Sequence, residues 1–80
     1  MDGYVNVSLD LTLLLNRQFD LRVPSSMTVK EFLQIVSDSY GLSLAVINPT
    51  VRVVQIGQLV ASTGTLEKLK DGVLLQLESI

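Results

Sequence analysis

The chain has 80 residues, 48% of them hydrophobic, and carries a formal net charge of −2. That length suits one small domain, and the absence of cysteine excludes disulfides and thiolate metal sites, so the core must supply the stability alone. Six basic residues scattered along a weakly acidic chain give no basic surface for nucleic acid, which we therefore exclude as a partner.

The sequence contains no segment that would hold the chain in a membrane. Its longest apolar run covers residues 44–47, far short of the ~20 residues that span a bilayer. The first ten residues lack the basic and apolar regions of a signal peptide. No repeat, low-complexity stretch or linker divides the chain. We therefore expect a single domain over residues 1–80, located in the cytoplasm, with no direct membrane insertion.

The first predicted element is an antiparallel β-hairpin. Apolar and polar residues alternate over residues 4–11 and again over 19–23, and the second run stops at Pro24. Alternation with a period of two is typical of half-buried strands, and proline cannot donate to a strand ladder. The residues predicted to face the core from the first strand are Val5, Val7, Leu9 and Leu11.

The segment between these strands is unusually apolar, with three leucines at 13–15 before the predicted turn residue Asn16. Successive side chains of a strand point to opposite faces, so three leucines cannot all enter one core. We expect at least one to be exposed. Two interpretations stay open: the hairpin is longer and packs over the helix end, or Leu14 and its neighbours form a docking knob for a partner.

A helix is predicted in "MTVKEFLQIVSDSYGL", residues 27–42. Thr28 and Glu31 have the spacing of a capping box, in which each side chain bonds the other residue's amide. Gly41 stands where a left-handed residue ends a helix, and Leu42 can fold back to close it. The spacing of one buried helical face is met by Val29, Phe32, Leu33, Val36 and Tyr40.

The second half of the chain predicts three more strands. Leu44, Val46 and Ile47 are expected to close the core before the loop signal at residues 48–49. Two short strands follow at 50–56 and 58–61, turning near Gly57. A single helical turn, capped by Thr65, is predicted through Leu66 and Leu69. The Asp71–Gly72 turn leads to a last strand whose residues Val73, Leu75 and Leu77 face the helix.

These elements predict an α+β domain with the β-grasp arrangement. One amphipathic helix must cover one face of a mixed sheet, and a hairpin, a crossing helix and a returning strand put the last strand beside the first. The expected architecture is about five strands packed on one main α-helix, in the order β-β-α-β-β-(short helix)-β.

Catalytic chemistry has no support in the sequence. There is no histidine and no cysteine, so the commonest general base, thiol nucleophiles and usual zinc ligands are missing. No serine lies in a nucleophile elbow and no glycine-rich phosphate loop exists. Glu31 and Asp71 are better explained as a helix cap and a turn residue. We expect no enzyme activity, no cofactor and no metal.

The remaining candidate is a protein-binding surface. If Val51 and Val53 point inward, then Arg52 and Val54 of the third strand, with Leu74 and Gln76 of the fifth, lie on the solvent face of the sheet. Exposed apolar patches usually mark contacts, although single exposed valines are ordinary. A slip of one residue in the third strand would exchange the two sets. The candidate binding residues are Arg52, Val54, Leu74, Gln76 and Leu14.

The same stretches resemble a known family. "TVKEFL", the "GQL" after the third strand and "TLEKLKDG" before the last are similar to ubiquitin-like domains. The "VNVSLDLT…FDLRVP" hairpin and "VRVVQIGQL" resemble the EsaB/YukD family, small ubiquitin-like proteins of the type VII secretion system of Gram-positive bacteria, over essentially the whole chain. The resemblance implies that the partners are protein components of that machinery and that the chain supports export of WXG-type substrates.

The resemblance also implies a cytoplasmic accessory component that is recruited to a membrane-bound secretion complex. Ubiquitin-like carriers that are conjugated need a flexible tail ending in Gly-Gly, whereas here the last glycine, Gly72, precedes the final strand. We therefore expect no conjugation to targets. The alternative function is a β-grasp scaffold or regulatory binding module whose partner lies outside secretion.

Overall fold

One helix and five strands form within residues 3–80, the part of the chain that the computed structural model describes. Residues 1 and 2, with which the predicted domain begins, lie outside the described residues. The elements are β1 (Tyr4–Asp10), β2 (Gln18–Pro24), α1 (Val29–Ser39), β3 (Thr50–Val53), β4 (Gln58–Val60) and β5 (Val73–Ser79).

The five strands form one mixed sheet in the order β2-β1-β5-β3-β4. The last strand of the sequence therefore lies at the centre of the sheet. It runs parallel to β1, with Val7 opposite Val73, and antiparallel to β3, with Val53 opposite Leu75. Helix α1 covers one face, so the predicted β-grasp arrangement of the α+β class is confirmed.

The core lies between α1 and the covered face of the sheet. Every residue predicted to point inward from β1, β3 and β5 is buried, with at most 9% of its surface exposed. Val51 and Val53 of β3 therefore point inward, and the one-residue slip that the sequence left open does not occur. These inward residues are Val5, Val7 and Leu9 of β1, Leu11 just after it, Val51 and Val53 of β3, and Val73, Leu75 and Leu77 of β5.

Helix α1 begins and ends as its sequence predicts. The Thr28 amide donates to Glu31 Oε1 at 3.0 Å and the Glu31 amide to Thr28 Oγ1 at 3.2 Å, which completes the capping box. Gly41 has a φ of 63°, a left-handed conformation that glycine adopts without strain. The Leu42 amide donates to the Ser37 carbonyl at 2.9 Å, the bond that closes a Schellman end.

One residue of the predicted helical face is only partly in the core. Val29, Phe32, Leu33 and Val36 are buried, whereas Tyr40 is 47% exposed. Tyr40 is the C-cap, so it lies beyond the last helical residue, and its ring packs on Phe19 with 4.4 Å between ring centroids. It covers the edge of the core rather than filling it.

Strand β3 is shorter than predicted. It ends at Val53 instead of continuing to residue 56, because the chain turns there: the Gly57 amide donates to the Val53 carbonyl at 2.8 Å. Gly57 has a φ of 68°, so the predicted turn near this residue is present. Val54 still donates its amide to the Leu74 carbonyl at 3.0 Å, which keeps it beside β5.

The predicted short helix through Leu66 and Leu69 is wrong in detail. The structure has a turn there, closed by the Leu69 amide and the Leu66 carbonyl at 3.1 Å. The Leu66 amide donates to the carbonyls of Ser25 and Met27, and Thr65 forms an isolated bridge with Thr28. Hydrogen bonds to distant parts of the chain therefore hold this segment as a turn, and it does not form the hydrogen-bond ladder of a helix.

Ile47 is also misplaced by the sequence prediction, because it is 71% exposed. Leu44 and Val46 are half-buried against the core, as expected, while Ala45 and Ile47, which alternate with them, are exposed. Side chains alternate between exposed and half-buried from Ser43 to Ile47, so every second one leaves the core. No helix within residues 3–80 combines the length and the apolar character needed to cross a bilayer.

Candidate functional site

The face of the sheet opposite α1, which we call the open face, gathers four of the five predicted binding residues. Arg52 and Gln76 are directly opposite each other on β3 and β5. Val54 and Leu74 follow in the same register, joined by the hydrogen bond from the Val54 amide. Val54 is 42% exposed and Leu74 is half-buried. Strand alternation thus brings together the residues that it predicted.

A further apolar side chain enlarges this group. Leu59 of β4 is opposite Arg52 in the β3–β4 ladder, and it is 52% exposed. Residues opposite each other in an antiparallel pair point to the same face. We call Val54, Leu59 and Leu74 the apolar patch. Large exposed apolar side chains gathered on adjacent strands are typical of a contact surface.

Arg52 lies beside the patch, and contacts with Glu78 and Gly57 hold its guanidinium in position. Its Nε is 3.3 Å from Glu78 Oε2 on β5, and its Nη2 is 3.5 Å from Glu78 Oε1. Its Nη1 donates to the Gly57 carbonyl at 3.3 Å. The guanidinium is therefore held between the central strand and the β3–β4 turn. An arginine oriented in this way offers a defined direction for polar contacts beside the apolar patch.

The turn beside the patch is tied to the start of β5. The Leu74 amide donates to Gln55 Oε1 at 3.0 Å. Leu74 thus donates through its amide to Gln55 and accepts through its carbonyl from the Val54 amide, so the β3–β4 turn and β5 are connected twice. The backbone beneath the patch is consequently well defined.

The other half of the open face is polar. On β1 and β2, Ser8 Oγ donates to Asp20 Oδ1 at 2.7 Å, and the Arg22 guanidinium lies 5.2 Å from the centre of the Tyr4 ring. These side chains bond one another across the hairpin. Tyr4, 52% exposed, is the large apolar side chain of this half, whereas Val54, Leu59 and Leu74 lie on the β5, β3 and β4 half.

Comparison with known proteins decides the family. No family model matches the chain. The EsaB proteins of Staphylococcus aureus strains Newman and COL, both named type VII secretion system accessory factors, are each 30% identical to it over 79 residues. The match covers 96% of the chain and 99% of each relative. The chain belongs to the EsaB family.

Among solved structures, a de novo protein designed from ubiquitin matches this EsaB-family chain with a TM-score of 0.71. The match covers 98% of the chain and 90% of the design at 20% identity, so it supports the fold alone. The ubiquitin-like β-grasp fold expected from the sequence is confirmed by this neighbour and by the sheet topology.

Leu14, the fifth predicted binding residue of this EsaB-family chain, is not part of the open-face site. It lies on the β1–β2 turn, where β1 ends, whereas the apolar patch lies where β5 begins. Because β1 and β5 are parallel, these are opposite ends of the sheet. Leu13 and Leu14 are 54% and 43% exposed, and Leu15 is half-buried against the core, so the expected exposure is confirmed.

The hairpin turn of the EsaB-family chain is nevertheless ordered. The amides of Leu14 and Leu15 donate to the Leu11 carbonyl at 2.9 and 2.8 Å. The Leu11 amide donates to the Arg17 carbonyl at 3.0 Å. Both interpretations of the leucines therefore have support: Leu15 extends the hairpin packing, while Leu13 and Leu14 project into solvent.

Leu59 is the residue that sequence reasoning missed in this EsaB-family chain. Its strand has three residues, Gln58–Val60, too few to show an alternation. The available signal was the hairpin itself: a turn centred near Gly57 sets Leu59 opposite Arg52. Across residues 3–80, no cluster of three carboxylates could hold a metal ion.

Proposed function

We propose that the chain is a non-catalytic accessory factor of a type VII secretion system that works by protein–protein contact. The observation that carries this proposal is the near-full-length match to relatives that are named as such factors. In the proposed role the chain acts in the cytoplasm, is recruited to the membrane-bound machinery and supports export of WXG-type substrates.

The chemistry of the chain supports contact rather than catalysis. It has neither histidine nor cysteine, which removes the commonest base and the thiol nucleophile. Strand β5 pairs with β1 on one side and β3 on the other, so Val73–Ser79 is part of the sheet and unavailable as a reactive tail. These features favour a protein that is bound by others and is not conjugated to them.

The open face is the proposed contact surface. It carries the apolar patch, the oriented Arg52 beside it and a polar half on β1 and β2 that can form the rim. Protein interfaces commonly combine an apolar centre with a polar surround, and arginine is enriched in them. A protein component of the secretion machinery is the proposed partner.

Export in a host that carries the system tests this proposal. The gene is deleted, and a WXG-type substrate is measured in the culture supernatant by immunoblotting. We expect deletion to abolish export and the wild-type gene to restore it. Val54→Asp should fail to restore export, because it puts a charge at the centre of the apolar patch. Cell-associated substrate serves as the control for expression.

Ile35→Asp is the matched control variant. Ile35 has an exposed fraction of 48%, similar to the 42% of Val54, but it lies on α1. The same substitution there should leave export intact. Thermal unfolding of both purified variants checks that each remains folded. Export that persists after deletion would contradict the secretion role and favour a partner outside secretion. Full restoration by Val54→Asp would contradict the open face as the contact surface.

A further inference from the structure

A groove of about 360 Å³ opens between the β3–β4 turn and the segment that leads into β5. It lies on the covered side of the sheet, at the end where β5 begins, because Val53 and Val73 point inward to form its base. Ile56 and Leu69 form its walls, and Lys68 and Lys70 stand on its rim. We call it the lysine groove.

The walls and base of the lysine groove are apolar. Val53 and Val73 are 3% and 9% exposed, so only a small part of each reaches the groove. Ile56, in contrast, is 67% exposed and has no core contact to explain its position. An apolar side chain entering the groove would cover Ile56 and meet the outer edge of the core, which removes apolar surface from water.

The groove is lined by two lysines and one aspartate. Both lysines are exposed, and among residues 3–80 no carboxylate lies within ion-pair distance of either ammonium group. Asp71, the acidic residue of the groove, accepts the Asn6 amide at 2.9 Å through Oδ1. Arg52, by comparison, has its own carboxylate partner. Two positive charges beside an apolar groove are complementary to an acidic ligand.

The size and continuation of the groove favour a linear segment. Its volume is near the lower end of the roughly 300–1,000 Å³ of ligand pockets, which leaves room for one or two bulky side chains. A second groove of about 410 Å³ shares Ile56, Lys68 and Leu69 with it and continues along β4, where Leu59 and Glu67 also line it. A peptide can therefore occupy the first groove and extend into the second.

We propose that the lysine groove binds a linear acidic peptide segment of a partner protein. A bulky apolar side chain of the segment packs between Ile56 and Leu69, and its flanking carboxylates lie beside Lys68 and Lys70. The lysine groove itself is separate from the open face, since Val53 and Val73 point away from the apolar patch; its continuation along β4 reaches Leu59 of that patch. This proposal therefore stands whether or not the open face is the contact surface for secretion.

Titration of the ¹⁵N-labelled 80-residue protein with synthetic hexapeptides tests the proposal by NMR. The probe is an acetylated, amidated peptide with Glu-Asp on either side of Leu-Phe. One control replaces the four acids by Gln and Asn, and a second replaces Leu-Phe by Ser-Ser. We expect saturable shifts at the amides of residues 53–57 and 68–73 with the probe. Each control should bind at least about tenfold more weakly.

Two variants separate charge from fold. The double variant Lys68→Glu, Lys70→Glu should weaken probe binding by at least about tenfold. Lys30→Glu, on the exposed side of α1, makes the same change elsewhere and should leave affinity within about twofold, allowing for weak long-range effects. An unchanged spectrum outside the groove shows that the double variant is folded.

Three results would overturn the proposal. The first is the absence of saturable shifts at millimolar probe. The second is equal affinity for the neutral peptide, which would show that the lysines do not select the ligand. The third is a set of shifts centred on the open face or on α1.

Raising the salt to about 1 M should weaken binding, since exposed charges are then screened. Salt-independent binding would also contradict the assigned role of the lysines.

Discussion

The two faces of strand β5 differ in what they do for the protein. Val73, Leu75 and Leu77 point toward α1 and are at most 9% exposed. Leu74 and Gln76, which alternate with them, are half-buried on the open face. Because the side chains of a strand alternate between faces, one seven-residue strand supplies the centre of the core and part of the candidate binding surface. Substitutions on the two faces should therefore separate stability from binding.

The largest effect is expected from a matched pair of leucines on this strand. Leu75 is fully buried, so Leu75→Ala should lower the free energy of unfolding by about 2–5 kcal/mol, from lost burial and the cavity left behind. Leu74→Ala removes the same atoms from a half-buried position and should cost about 1 kcal/mol. Urea unfolding followed by circular dichroism measures both losses.

A second control keeps this comparison interpretable. Leu75→Met nearly conserves the side-chain volume and should cost less than about 1.5 kcal/mol. It shows whether the loss in Leu75→Ala comes from the cavity. Equal destabilisation by Leu74→Ala and Leu75→Ala would contradict the division of β5 into a stabilising face and a binding face.

A smaller effect is expected at the helix cap. Thr28→Ala removes the hydroxyl that accepts the Glu31 amide and should lower the free energy of unfolding by about 1 kcal/mol. Thr63→Ala, at an exposed residue, is the matched control and should change it by less than about 0.5 kcal/mol. Thermal unfolding measures both. Since α1 covers only the inner face, partner binding by the open face should not change; a loss of binding in Thr28→Ala would contradict the independence of the two faces.

The inner face could be predicted from the sequence because its determinants are local. The spacing of Thr28 and Glu31 identified the start of α1, and alternation reduced β3 to two registers, of which the structure has the one with Val51 and Val53 inward. Each feature depends on residues within one strand or one helical turn. The position of β5 beside β1 followed from the order of the elements, whereas the pairing of β3 with β5 instead of β1 did not.

The errors in the fold prediction have non-local causes. The segment expected to form a short helix is a turn, because the Leu66 amide bonds the carbonyls of Ser25 and Met27, about forty residues earlier. Ile47 is exposed while Leu44 and Val46 take the inward positions, and the end of this segment is held by bonds from the Ile47 and Asn48 amides to the Ile80 carbonyl. An apolar run without periodicity does not distinguish these outcomes.

Part of the candidate site was predictable, because alternation within a strand is a local signal. Alternation and topology bring Arg52, Val54, Leu74 and Gln76 together. The contribution of Leu59 required the β3–β4 register, and the Arg52–Glu78 ion pair required the pairing of β3 with β5. Whether Leu14 serves a second contact stays a prediction, since it lies at the other end of the sheet.

The smallest effect on stability is expected at Arg52, the charged residue beside the apolar patch. Its ion pair with Glu78 is partly exposed, with 39% and 33% of the two side chains accessible, so Arg52→Gln should lower the free energy of unfolding by less than about 1 kcal/mol. That difference should shrink at about 1 M salt because exposed charges are screened. Urea unfolding at low and high salt measures it, with Lys30→Gln as the control. A salt-independent loss above about 2 kcal/mol would contradict the exposed ion pair as the source of the effect and would indicate lost packing of the Arg52 stem instead. If the small loss is observed and partner binding still falls, the outward side of the sheet contributes recognition while its inward side contributes stability.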